Sequence, residues 1–231
     1  GGRAQPPRRG GNVHYRLIVS LIDAARLADQ RITLADGKTI DLKLPKGVEE
    51  QIVRGMYRFG STEAAPARGQ VRLLGSGTLL REVIAAADLL ATDWGISSEV
   101  WSVTSFSELA REARDVERWN RLHPEQDERS SHLAQCLAGD APVIAATDYV
   151  RAYPQLIASY VDARFVALGT DGFGRSDTRS ALRRYFEVDR HHIVLAALEA
   201  AGRKHGLPRR MLAEAIERYE LDPERIASWL G

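Results

Sequence analysis

Two periodicities divide this chain. From Val13 to Pro45 apolar residues recur at every second position: Tyr15, Leu17, Val19 and Leu21 share one face, and Ile40, Leu42 and Leu44 alternate with Thr39, Asp41 and Lys43, the pattern of half-buried strands. Between Arg31-Ile32-Thr33-Leu34-Ala35 and the stretch from Lys38 stands Asp36-Gly37. Both residue types tolerate positive φ, so the pair predicts a hairpin closed by a two-residue type I′ turn. Gly1 to Gly11 carries arginine, proline and glycine without an apolar run, and is expected to be a flexible linker and not a secretory signal.

Beyond residue 50 short apolar runs alternate with helical stripes. Gln70 to Leu74 predicts a strand, and Leu79, Leu80, Val83, Ile84, Ala87 and Leu90 then form one face of a helix that Gly95 stops. Glu99 to Val103 predicts a second strand. Ser105 or Ser107 can cap the next helix, whose inner face holds Leu109, Ala113, Val116 and Trp119 and which must end before Pro124. Pro142 to Ala146 is a third strand, Val150 to Tyr160 a helix and Arg164 to Leu168 a fourth strand. Helices follow from Thr178 to Phe186, from an Asp189 cap through Ala201, and from Pro208 through Tyr219, with a last turn at Asp222-Pro223. Strands that alternate with helices demand parallel pairing and right-handed crossovers, so the expected fold class is α/β, a three-layer α/β/α sandwich with a mostly parallel sheet, plus a small N-terminal strand and hairpin.

Several ordered segments point to one family: Gly55-Met56-Tyr57, Leu73-Leu74-Gly75-Ser76-Gly77, Trp101 through Leu109, Glu117-Arg118-Trp119-Asn120, Thr147-Asp148-Tyr149 and the loop from Gly169 to Arg179. From about Gln51 to its end the chain resembles the carboxy-terminal domain of the decarboxylating component of bacterial pyruvate dehydrogenase, homodimeric type, a transketolase-like thiamine-diphosphate enzyme. The resemblance implies a domain that completes a homodimer and packs against the cofactor-binding domains. It also implies, for the intact enzyme, pyruvate decarboxylation and acetyl transfer to lipoyl groups of a transacetylase core.

The segment before residue 50 resembles part of the client-binding β-domain of J-domain co-chaperones, through Val13-His14-Tyr15-Arg16-Leu17, Asp23-Ala24-Ala25 and Asp36-Gly37 followed by Leu44-Pro45-Lys46-Gly47-Val48. No J domain, His-Pro-Asp tripeptide or cysteine repeat accompanies it. The expected organisation is a linker at 1–11, a β segment at 12–50 and the α/β domain at 51–231, with the seam of a fused reading frame near Pro45 to Glu50. A peptide-gripping co-chaperone-like module, or a regulatory partner of full-length dehydrogenase, is the alternative function.

Composition removes other classes. With 44% hydrophobic and 27% charged residues, and 32 basic against 31 acidic ones, the chain has the profile of a globular protein without a field for nucleic acid or membrane. A single cysteine, Cys136, excludes an internal disulfide framework, and the apolar run Ile193 to Ala201 is too short to cross a bilayer, so a cytoplasmic location is expected. Arg3, Arg8 and Arg9 lack interleaved aromatics and read as part of the tether.

Candidate chemistry is sparse. The resembled family holds its diphosphate through magnesium with a Gly-Asp-Gly step and asparagine ligands, but the asparagines here are Asn12 and Asn120 and neither follows such a step. The glutamate that activates the coenzyme belongs to a domain outside this sequence. No catalytic, cofactor-binding or metal residue is therefore expected, and thiamine diphosphate and magnesium are expected only in the intact enzyme. Gly75-Ser76-Gly77 lacks the remainder of a dinucleotide fingerprint and reads as a tight turn capped by Ser76 or Thr78. His132 and Cys136, four apart, read as a surface histidine and a half-buried thiol, and the adjacent His191-His192 as helix-start residues that diverge. Arg111, Glu112, Arg114, Asp115, Glu117 and Arg118 read as a solvated helix face. One polar constellation remains: Asp171, Phe173, Arg175, Asp177 and Arg179, in a glycine-rich loop at a strand's carboxyl end. It is expected to brace itself or to meet a neighbouring domain.

Overall fold

The computed structural model of the protein describes the strands Gln30–Thr33 and Thr39–Leu42 and then residues 48–230. The expected linker, the strand around Tyr15 to Leu21, Arg3, Arg8, Arg9 and the Asp36-Gly37 turn itself lie outside the described residues. By its internal contacts the chain divides after Glu49.

In the first part β1 (Gln30–Thr33) and β2 (Thr39–Leu42) pair antiparallel as the alternation predicts. Their register differs from the expected one. Thr33 stands opposite Thr39, whereas a two-residue connection at Asp36-Gly37 would set Thr33 opposite Ile40. A two-stranded pairing specifies its register only weakly, which is why the sequence pattern missed by one residue.

A short helix, α1 (Val48–Val53), spans the division, and the second part contains a five-stranded sheet. Its strands are β3 (Met56–Thr62), β4 (Gly69–Ser76), β5 (Ile96–Val103), β6 (Val143–Ala146) and β7 (Phe165–Leu168), in the order β3-β5-β4-β6-β7. β4, β5, β6 and β7 are mutually parallel, as expected. β3 is the addition: it runs antiparallel along β5, with a register shift between Arg58 and Gly60. Its sequence, MYRFGST, alternates too little to announce a strand.

Gly55 starts that edge. At φ +108° it takes a conformation that side chains avoid, a Cβ there would meet Leu109 Cγ at 2.8 Å, and its carbonyl accepts from Thr104 N and Ser105 N.

After β4, a 3₁₀ turn at Gly77–Leu79 leads into α2 (Leu80–Trp94). Neither Ser76 nor Thr78 caps this helix; Ser76 instead shares a hydrogen bond with Thr147 across the sheet's end. Gly95 closes α2 in the left-handed region, as expected. α3 (Phe106–Leu122) is capped by Ser105, which accepts from Glu108 N at 3.1 Å, and it stops one residue before Pro124's neighbour His123 is passed. α4 (His132–Cys136) follows.

The single helix expected from Val150 to Tyr160 is not formed. α5 (Ala152–Gln155) is one turn, and a 3₁₀ turn at Ala158–Tyr160 succeeds it. Pro154 supplies no N–H, and the bonds around it run over three residues, Leu156 N to Tyr153 O and Ile157 N to Pro154 O, so the coil tightens and breaks. α6 (Arg179–Tyr185), α7 (Arg190–His205) and α8 (Arg210–Arg218) complete the chain, and Glu224 N donates to Asp222 Oδ1 in the last predicted turn.

Each sheet face has its own core because neighbouring strand residues point oppositely. Leu73 and Ile144 face α2 and α7 with Val83, Leu90, Ile193 and Val194. Leu74, Val143 and Ala145 face α3 and α4 with Met56, Leu109 and Leu133. Burying each of these large side chains contributes on the order of 2 kcal/mol, and together they hold the carboxyl ends of the strands in one row.

Candidate functional site

β4 leads leftward to β5 while β6 leads the other way to β7, so the chain parts at the carboxyl ends of β4 and β6, the place where open α/β sheets leave a crevice. The residues there are stitched by short polar contacts. Ser76 Oγ and Thr147 Oγ1 lie 2.8 Å apart and are buried, Tyr149 N donates to Thr147 Oγ1, and Thr170 Oγ1 donates to Asp148 O at 2.9 Å.

Gly169 leaves β7 under a steric demand: a Cβ there would lie 2.6 Å from Arg151 N and 2.7 Å from Tyr149 O. Asp171 then accepts from Arg151 N at 2.8 Å and from the Arg151 side chain. Burial alone would raise the Asp171 carboxyl, but Arg151's hydrogen bonds and charge outweigh it and hold the group below its usual range. Gly172, at φ +105°, lets the loop lie against Ser228, whose carbonyl oxygen a Cβ would meet at 2.1 Å, and Ser228 Oγ donates to Asp171 O at 2.7 Å. The C-terminal turn is thus clamped onto the loop, and Arg151 lies 4.5 Å over the Trp229 ring.

The five sequence-nominated residues part company in space. Asp171 is used internally, and Asp177 Oδ1 accepts from Thr178 N at 2.6 Å beside the start of α6. Phe173 points outward, 82% exposed. The structure also exposes apolar side chains that the sequence did not announce: Tyr149 and Tyr153, with ring centroids 5.4 Å apart, and Trp229 and Leu230 from the C-terminal turn. The one available signal was aromatic residues inside otherwise polar turns. Arg175 lies 4.3 Å over the Tyr185 ring, and Arg179 opens α6 on the other side of the loop, where both line a cavity of about 440 Å³.

Beneath that cavity sits a charged knot. Glu82, 5% exposed on the first turn of α2, accepts from Arg183 Nη1 at 2.7 Å, from Arg190 Nε at 2.9 Å and from Arg190 N at 3.2 Å. Burial pushes its carboxyl up, yet the hydrogen bonds and charge of Arg190, with Arg183 behind, bring it below the usual range. Asp189 caps α7 by accepting from His191 N and His192 N, and its side chain also meets His192 Nδ1 at 2.8 Å. His191 turns away and stacks on Tyr219.

His132 corrects the surface reading given above. It is buried, its Nε2 lies 2.9 Å from Met56 O, and Cys136 Sγ is 3.6 Å from the same ring. The missed signal was β3, whose carbonyl gives the ring a buried partner. The residues present do not fit a thiamine diphosphate and magnesium centre. Asn120, the described asparagine, uses both ends of its amide on the backbone of Arg129, at 2.9 Å each, and no three His, Cys, Asp or Glu side chains gather to hold a metal among the described residues. Nor is any described helix long and apolar enough to cross a membrane.

Residues 55–189 match the transketolase-like TK C-terminal domain family. The chain is 54% identical over 184 residues to the pyruvate dehydrogenase E1 component of Cupriavidus necator, covering 79% of this chain and 21% of that protein. It is 50% identical over 196 residues to the E1 component of Pseudomonas aeruginosa, covering 84% and 22%. Among solved structures, transketolase from Leishmania mexicana aligns with a TM-score of 0.43 at 20% identity, over 71% of this chain and 20% of that one. The chain spans about a fifth of the length of the curated relatives it matches.

Proposed function

This chain belongs to the transketolase-like C-terminal domain family, and from that premise we propose that it serves as the C-terminal structural and dimerisation domain of a pyruvate dehydrogenase decarboxylating component. The observation that carries the reading is the 54% identity over 184 residues. In the intact cytoplasmic enzyme, thiamine diphosphate and magnesium supply the chemistry of pyruvate decarboxylation, and the acetyl unit passes to lipoyl groups of a transacetylase core. This chain's contribution is a docking surface. By itself it is inactive.

The exposed Tyr149, Tyr153, Phe173, Trp229 and Leu230 support that role, because exposed aromatic side chains beside a braced loop suit an interface centre. Arg151 and Asp171 hold the loop rigid, so docking orders few additional groups. Phe173 is the interface anchor, and Asp171 and Asp177 brace the loop that carries it. The β segment before Glu50 and the α/β domain after it are separate units in this reading.

Sedimentation of the full chain tests it. The wild type is expected to self-associate at about 100 µM, and Phe173→Asp to weaken that association by at least about tenfold, with unchanged melting at about 1 µM, where the chains are dissociated, since Phe173 supports no core. A monomeric wild type at that concentration would refute the dimerisation role. Turnover of pyruvate by the chain with added thiamine diphosphate and magnesium would refute the placement of catalysis elsewhere.

A further inference from the structure

The cavity at the carboxyl ends of β4, β6 and β7 carries a separate function, and we propose that it binds a small organic phosphate whose organic part bears hydroxyl groups. The proposal does not rest on the dimerisation role. It rests on what three parts of the chain place around one space of about 440 Å³, a volume within the usual range of small-molecule sites.

Charge comes from the loop and α6. Arg175 and Arg179 line the cavity, and among the described residues neither forms an ion pair. Arg175 Cζ lies 4.3 Å from the centre of the Tyr185 ring, a contact that leaves its charge unneutralised. Arg183 also reaches the wall, but Glu82 already compensates its charge at 2.7 Å. Two uncompensated guanidinium groups are therefore available to an anion, and the planar fork of arginine matches phosphate oxygens in pairs.

Selectivity comes from a second part of the lining. Asp148, at the end of β6, lines the same cavity, and Thr78 Oγ1 approaches its Oδ2 at only 3.4 Å, a long contact that leaves the carboxylate able to accept hydroxyl donors. Gly77, at φ +54°, borders that carboxylate, and an added Cβ would lie 3.4 Å from Asp148 Oδ1. A bare dianion would be repelled by Asp148, whereas a molecule with phosphate at one end and hydroxyls at the other satisfies both parts. Leu182 and Phe186, both partly exposed, provide apolar surface against which a ring can lie, backed by the buried Leu79 and Val188. The glycine step Gly75-Ser76-Gly77 signals no nucleotide by itself; the cations arrive from a loop far along the chain, and the topological crevice brings them together.

Calorimetric titration of the full chain with adenosine 5′-monophosphate, ribose 5-phosphate, inorganic phosphate and ribose provides the test. At least one of the two organic phosphates is expected to bind with a Kd below about 1 mM and at least about tenfold more tightly than inorganic phosphate, with ribose silent to about 10 mM. Tighter binding of the monophosphate would assign the apolar side to a base, and tighter binding of ribose 5-phosphate would assign the site to a sugar phosphate. The double variant Arg175→Ala, Arg179→Ala should lose at least about tenfold in affinity, and both positions are exposed, so folding is not at stake. Asp148→Asn should narrow the gap between organic and inorganic phosphate while leaving the melting temperature in place. No binding of either organic phosphate to the wild type, equal affinity for inorganic phosphate, or undiminished binding by the double variant would overturn the proposal.

Discussion

Replacing Glu82 with glutamine tests whether the charged knot between α2, α6 and α7 stabilises the fold. The side chain keeps its shape and loses its charge, so the core around Val83 and Leu90 is not opened. Its carboxylate is 6% exposed and faces two guanidinium groups, Arg183 at 20% and Arg190 at 45% exposure. Breaking a fully buried pair costs about 3–5 kcal/mol, but here both cations can partly recover water, so the expected loss is about 2–3 kcal/mol. For a chain of this size a urea slope near 2 kcal/mol per molar translates that into a midpoint lowered by about 1–1.5 M, and the melting temperature falls by about 5–10 °C.

The pH dependence separates charge from packing. Glu82's carboxyl is held below its ordinary range in the folded protein, so its contribution is complete above the unfolded value of roughly 4.3 and is lost as pH falls through the folded value. Glutamine does not titrate. The difference between wild type and Glu82→Gln should therefore be full at pH 7 and shrink as pH is lowered below about 4. Urea titrations followed by tryptophan fluorescence at a series of pH values measure it. A loss under about 0.5 kcal/mol at pH 7 would show that desolvation cancels the attraction. A loss that does not change with pH would assign the effect to shape.

Two further perturbations probe the cores. Tyr219→Phe removes the acceptor of the Trp94 Nε1 hydrogen bond at 2.8 Å and should cost about 1–3 kcal/mol in a urea titration, because the buried indole N–H is left without its partner; an unchanged midpoint would contradict that bond's importance. Burial pushes the Cys136 thiol up to about 11, so its reaction with a disulfide reagent at pH 8 should be at least about tenfold slower in the folded chain than in urea, and equal rates would place the thiol in solvent.

Local pattern carried much of the α/β domain into view. The stop at Gly95, the caps at Ser105 and Asp189 and the strands before Gly75 and Gly169 depend on residues within a few positions of each other, where backbone conformation and hydrogen bonding are decided by neighbours in the chain. The same locality misjudged Val150 to Tyr160, where the apolar spacing outweighed Pro154, and the hairpin register, which depends on cross-strand contacts.

What the sequence by itself determined was the layer architecture and the family resemblance from residue 51 onward, because periodicity and ordered short segments are properties of consecutive residues. Only the tertiary structure decided the edge strand β3, the burial of His132 against its carbonyl, the knot at Glu82 and the meeting of Asp148 with Arg175 and Arg179. Each joins groups separated by tens of residues, and such encounters are set by the order of strands in the sheet and the crossing of the helices above it, which no local spacing encodes.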